Sequence, residues 1–127
     1  MPLTRISMLK GRHTDTKEQI KSLVASTIVE QLNVPANDRF IMLDEYEADH
    51  FHYDPTCLDI ARTDDLLIIQ ITLNAGRPTE VKKQFYEALA EQLHGQLQLR
   101  KEDIFINLIE VTRDNWSYGN GFAQFAL

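Results

Sequence analysis

A proline at position 2, placed directly before the strand-like run of "MPLTRISMLKGR", is the first residue of this chain whose type and place suggest chemistry. Removal of a methionine that precedes a small residue such as proline is routine processing, and here it would leave a secondary amine at the head of a strand. An α-amino group titrates at about 7.7 to 8 in model peptides, and partial burial or neighbouring cations lower that value. A base poised near neutrality is what proton transfer at a carbon beside a carbonyl requires. The plain alternative is that Pro2 is tolerated where no backbone donor is needed.

Arg12 lies ten residues past Pro2, in the Gly-Arg turn that leaves the first strand, and Arg77 follows the equivalent Gly76. Guanidinium groups at strand ends suit a carboxylate, which they can grip bidentately. Taken singly, either arginine is also what a solvated surface charge looks like. Asp38 and Asp103 stand before returning strands, where capping a loop is the ordinary role. If Asp38 lies beside Pro2, its charge would raise the pKa of the amine and hold it as a cation. Dominant arginines would favour a free-base proline, and a dominant Asp38 a proton donor.

His50 and His52 in "DHFHYD" share one side of an extended segment,. They offer a metal nothing firmer than proximity, so no metal is expected. Trp116 and Tyr118 read as wall or core residues, with lining of a substrate pocket as the alternative, and they are candidate substrate contacts on that second reading. The lone cysteine, Cys57, cannot form an internal disulfide, which suits a reducing compartment, and it is expected as a small half-buried hydrophobe,.

These residues need elements to hold them. At 127 residues the chain is expected to be a single domain, and its apolar share of 43% with 25% charged residues is that of an ordinary globular protein,. No segment approaches the roughly 18 apolar residues of a membrane span, and no uninterrupted apolar signal core opens the chain, so a cytoplasmic location is expected. A net charge of −6, without a Lys/Arg stripe, argues against nucleic acid as a partner but not against a small anion held by one or two arginines,.

At an offset of 65 residues the first half matches the second without a gap. Ile6, Gly11, Arg12, Thr14, Lys17 and Gln19 meet identical residues at Ile71, Gly76, Arg77, Thr79, Lys82 and Gln84, and "DRFIMLDE" lies over "DIFINLIE". Each half reads strand, helix, strand. Strands are expected at 2–9, 39–45, 66–73 and 104–111. Ile20, Leu23, Val24, Ile28 and Leu32 form one helical apolar stripe, and Phe85, Ala88, Leu89, Leu93 and Leu97 form the other,. Asp15 with Glu18 resembles a capping box, Thr79 and Glu80 suit the second helix start, and Val34-Pro35 ends the first helix. Such units cross over right-handed and leave their strands parallel. The expected fold is α+β: two β-α-β repeats, at about 2–46 and 66–112, giving a four-stranded mixed sheet with two helices on one face. The stretch 47–61 is expected as a loop with a short extra strand, and "NWSYGNGFAQF" as a hairpin around Gly119-Asn120-Gly121. The sheet's other face, assigned residues such as Ile71 and Leu108, would need covering, most economically by further copies of the chain.

Together these residues resemble the tautomerase superfamily, whose members use an amino-terminal proline in a β-α-β building block. "MPLTRISMLKGR" carries that likeness, while "VPANDRF", "IARTDDLLIIQIT" and "WSYGNGFAQF" are similar to the malonate semialdehyde decarboxylase group; the likeness runs nearly end to end. The resemblance implies Pro2 as acid/base, Arg12 as carboxylate contact, Asp38 as the aspartate that keeps the proline protonated, no cofactor, and a homotrimer with a site at each amino-terminal proline. The two arginines that bind substrate in the decarboxylase group fall on Asn74 and Gly76, with Arg77 adjacent; the second tautomerase arginine falls on Phe40, with Arg39 adjacent. Losing both contacts to a carboxylate would forfeit on the order of several kcal/mol unless Arg77 or Arg12 substitutes. The expected activity is therefore proton transfer on a 2-oxo acid or its enol, a small carboxylate-bearing substrate held by Arg12 and Arg77. Decarboxylation or hydration of a 3-oxo acid, and non-catalytic small-molecule binding by a trimer, stand as alternatives.

Overall fold

Glycine closes the first strand of each half at a backbone angle that other residues avoid: φ is 133° at Gly11 and 129° at Gly76,. Around this shared turn the computed structural model, which describes residues 2–126, repeats itself element by element. The first half runs β1 (Leu3–Leu9), α1 (Thr14–Leu32) and β2 (Phe40–Tyr46); the second runs β3 (Leu67–Asn74), α2 (Thr79–Leu97) and β4 (Ile104–Val111). The helices begin and end at positions exactly one offset apart, and each closes on a left-handed residue, Asn33 and Gln98, both with φ of 55°.

Strand order is β2-β1-β3-β4. β1 runs parallel to β2 and β3 parallel to β4, while β1 and β3 pair antiparallel at the centre, with Leu3 opposite Thr72 and Ile6 opposite Ile69. The antiparallel seam makes the two halves a pseudo-twofold pair. It also sends the start of β1 to the same end of the sheet as the start of β2 and the end of β3.

Both helices pack on one face. Ile6, Met8, Leu67, Ile69 and Ile71 of the central strands are fully buried there against Ile20, Val24, Phe85, Leu89 and Leu93. Each such side chain contributes about 1.5–3 kcal/mol by leaving water. Ion pairs at equivalent places, Lys17–Glu45 and Lys82–Glu110, tie each helix to the returning strand of its own half.

Strand parity corrects one expectation. Ile71 is buried on the helix-covered face, and Leu108, its partner in β4, lies on that same side. The open face carries Leu3, Phe40, Met42, Phe105 and Ile109, all exposed at about 40–54%. An alternation anchored one residue off exchanges the faces.

Four smaller expectations also change. α1 starts at Thr14 after an extended His13 with no side-chain cap; Asp15 sits inside the first turn, and Glu18 pairs with Lys21 at 2.6 Å instead of closing a capping box. The stretch 47–61 holds two 3-10 turns, Ala48–His50 and Cys57–Asp59, and no strand; Cys57 is exposed. The tail makes no hairpin. After a 3-10 turn at Arg113–Asn115, Gly119, Asn120 and Gly121 all take positive φ, and the chain returns through one side chain. Gln124 Oε1 accepts the Tyr118 N–H and Gln124 Nε2 donates to the Gly119 carbonyl, both at 2.9 Å. The tail is in fact the second copy of the 47–54 stretch: the two 3-10 turns lie one offset apart, as do Asp49 and Asp114, and Tyr53 and Tyr118.

Candidate active site

Pro2 is buried, immediately ahead of β1. Because of the strand pairing, the loop before β2, the end of β3 and the tail after β4 all reach this end of the sheet. On its inner side Pro2 shares a small cavity with Thr4, Ile28, Val34, Asp38 and Arg39. On its outer side it forms the floor of a cleft of about 300 Å³ with Leu3, Phe40, Trp116, Ser117 and Tyr118. Met1 lies outside the described residues.

The cleft wall is aromatic and ordered. Trp116 stacks on Tyr118 with ring centroids 5.4 Å apart and planes 17° apart, and its Nε1 donates to Asn74 Oδ1 at 2.8 Å. Phe125 meets Tyr118 edge-on at 5.6 Å. The Tyr118 hydroxyl oxygen is buried and has no hydrogen-bond partner among the described residues. Burial, and after it the negative charge of Asp38, pushes the Tyr118 phenol above its usual value, which places the aspartate and the phenol in one local field,.

Of the residues singled out from sequence, Pro2, Asp38, Trp116, Tyr118 and Asn74 meet at this end. Asn74 acts as the anchor of Trp116. Arg77 reaches the neighbourhood with a structural duty: its Nε and Nη2 donate to the Leu32 carbonyl at 3.2 and 2.8 Å, capping α1, and its Nη1 donates to the Asn74 carbonyl. Three of the five guanidinium N–H donors are engaged, which leaves two.

Arg12 does not join them within one chain. It follows the far end of β1, a strand of seven residues, and is therefore about 20 Å from Pro2,. There its Nη2 donates to the Asp65 carbonyl, and burial lowers its pKa. It lines a separate cleft with Lys10, Tyr46, Glu47, Asp64 and Asp65.

The pseudo-twofold explains why one end carries the candidate chemistry. Leu67 occupies the place of Pro2 in the second half, inside the chain, where its nitrogen is an amide without a usable lone pair. Asp103, the counterpart of Asp38, is 1% exposed and accepts from the Thr63 N–H at 2.7 Å and the Thr63 hydroxyl at 2.6 Å. The segment entering β3 thus fills that end. With the Pro2 nitrogen freed of Met1, a buried proline, a carboxylate and a phenol beside an apolar cleft are groups of the kind that bind a small organic acid and move a proton,.

Sequence reasoning missed Phe40 as a wall residue and Gln124 as the clamp of the tail. The signal for the tail was present, since Asp49/Asp114 and Tyr53/Tyr118 continue the 65-residue repeat past the last strand.

Comparison with known proteins agrees with this fold. The chain is 39% identical, over 98% of both chains, to the probable tautomerase YusQ of Bacillus subtilis (strain 168). It superimposes on FG41 malonate semialdehyde decarboxylase inhibited by 3-bromopropiolate with a TM-score of 0.88 at 30% identity, covering 97% of this chain and 93% of that one. A symmetric trimer of wild-type fused 4-OT shares the fold, with a TM-score of 0.79 at 19% identity over 98% of each chain. With residues 38–119 matching the family model described as tautomerase enzyme as well, the chain belongs to the tautomerase family.

Proposed function

We propose that this tautomerase-family protein catalyses proton transfer on a 2-oxo acid or its enol, with Pro2, freed by removal of Met1, as both base and acid. The observation that carries this reading is the burial of Pro2 at the floor of an aromatic-walled cleft with Asp38 beside it. Partial burial lowers the pKa of a secondary amine and a nearby carboxylate raises it, so the pair sets the proline's resting state. Trp116 and Tyr118 hold the planar enol, and Asn74 fixes Trp116.

Arg77 and Arg12 are the proposed carboxylate contacts. Arg77 offers its two remaining donors at the Pro2 end. Arg12 can serve a Pro2 cleft only from another copy of the chain, so its role requires assembly. The apolar open face supports a homotrimer, and the fused 4-OT neighbour is itself a trimer.

The likeness to FG41 malonate semialdehyde decarboxylase favours a second reading, decarboxylation or hydration of a 3-oxo acid by the same proline. Intact mass of the protein purified from its native host tests the free amine. A panel of enols and 3-oxo acids, assayed with wild type and Pro2→Ala, tests the chemistry. Retained Met1, or equal turnover by both proteins, would refute proline catalysis, and no turnover by either would favour a binding protein.

A further inference from the structure

Tyr53 and Tyr118 occupy the same place in the two halves, each three residues past the end of an equivalent 3-10 turn that follows the returning strand. Their hydroxyl groups differ. Tyr53 donates to Asp64 Oδ1 at 2.8 Å. Tyr118, at the Pro2 end, holds its hydroxyl oxygen buried with no partner among the described residues. A buried phenol without a partner destabilises a fold, and a phenylalanine would fill the same space without that penalty.

The ring is also held unusually firmly for a tail residue. Trp116 stacks on one face, Phe125 touches the ring edge-on, and Gln124 clamps its backbone N–H. The hydroxyl is thus a fixed dipole whose ordering is complete before any ligand arrives, which is what an effective electrophilic contact needs. The ring lines the cleft whose floor is Pro2. Asp38 acts on the same hydroxyl electrostatically, and with burial it favours the protonated phenol, the form that can donate a hydrogen bond to a carbonyl oxygen,.

We propose that the Tyr118 hydroxyl donates a hydrogen bond to the oxo oxygen of the bound substrate and so discriminates an oxo acid from the corresponding simple carboxylic acid. This rests on the function proposed above only in placing the ligand in the Pro2 cleft. The hydroxyl keeps its own proton throughout; Pro2 moves the proton on carbon, and Tyr118 stabilises the charge that gathers on oxygen.

Trp116 is the sole tryptophan, so its fluorescence reports occupancy of the cleft it lines. Titrating the whole protein with 2-oxobutyrate and with butyrate should show the oxo acid binding about tenfold more tightly. Tyr118→Phe should remove that preference by weakening only the oxo acid, while Tyr53→Phe should preserve it. Equal affinities in wild type, an unchanged preference in Tyr118→Phe, or an equal loss for both ligands would overturn the proposal. The Tyr118 13Cζ resonance gives a reading that needs no variant: it should move with 2-oxobutyrate and not with butyrate, and no movement or equal movement would also overturn it. Oxo-acid preference without turnover would sink the proposed reaction and leave this inference standing; turnover without preference would do the reverse.

Discussion

Once Met1 is removed, the proposed mechanism puts two opposing effects on the Pro2 nitrogen, burial that would lower its pKa and the Asp38 charge that would raise it, each pKa unit corresponding to about 1.4 kcal/mol. A 15N titration of the processed protein should place the Pro2 amine near neutrality if it works as a base on 2-oxo acids; a value well above eight would favour the decarboxylase reading. Pro2→Ala should lower kcat/KM by about 10²- to 10⁴-fold with unchanged circular dichroism, because general acid-base catalysis is typically that large. In the base case, activity should rise with pH through the proline's pKa. Tyr118, held above its ordinary value of 10.0 by burial, stays protonated near neutrality, so a change of rate in that range comes from another group. At this scale the sequence named Pro2 and Asp38, but it could not tell that Arg77 is already capping α1 or that Arg12 stands at the other end of its strand.

Among the elements, the turns and the paired aspartates carry the clearest consequences. No atom lies within 4 Å of a β-carbon built at Gly76, so Gly76→Ala costs only backbone strain at φ 129°. It should destabilise by about 1–3 kcal/mol in urea unfolding, with Gly11→Ala behaving alike because the turns are equivalent. Asp103→Ala leaves the Thr63 N–H and hydroxyl without their acceptor and should cost about 3 kcal/mol,. Folded molecules of that variant should keep wild-type kcat/KM, whereas Asp38→Asn should lose activity with little change in the unfolding midpoint. The opposite pattern would mean that catalysis sits at the second half's end.

For the whole molecule, the open sheet face is the governing feature. Leu3, Phe40, Met42, Phe105 and Ile109 together expose an apolar surface that a solitary copy would leave in water,. Sedimentation should report three times the 14.7 kDa chain mass, and Ile109→Glu should lower the assembly state. If activity needs Arg12 from another copy, that variant should lose activity in step with its mass. A fully active monomer would refute both the assembly and the role of Arg12.

The sequence by itself determined the duplicated β-α-β architecture, the presence and approximate place of both helices, and the proline candidate. These follow from local periodicity and from a repeat that survives in spacing as well as in identity. Strand direction came with it, since so short a β-α-β crossover leaves its strands parallel. Which face of the sheet is covered was decided only in three dimensions: Ile71 and Phe105 are both apolar, and a shift of one residue in parity exchanges inside and outside,. The tail was likewise a tertiary matter, because its closure depends on one Gln124 side chain and on rings brought together from β4 onward, not on a strand period. The separation of Arg12 from Pro2 was hidden for the same reason. Ten residues are close along the chain, but a strand extends by about 3.3 Å per residue and carries its two ends apart.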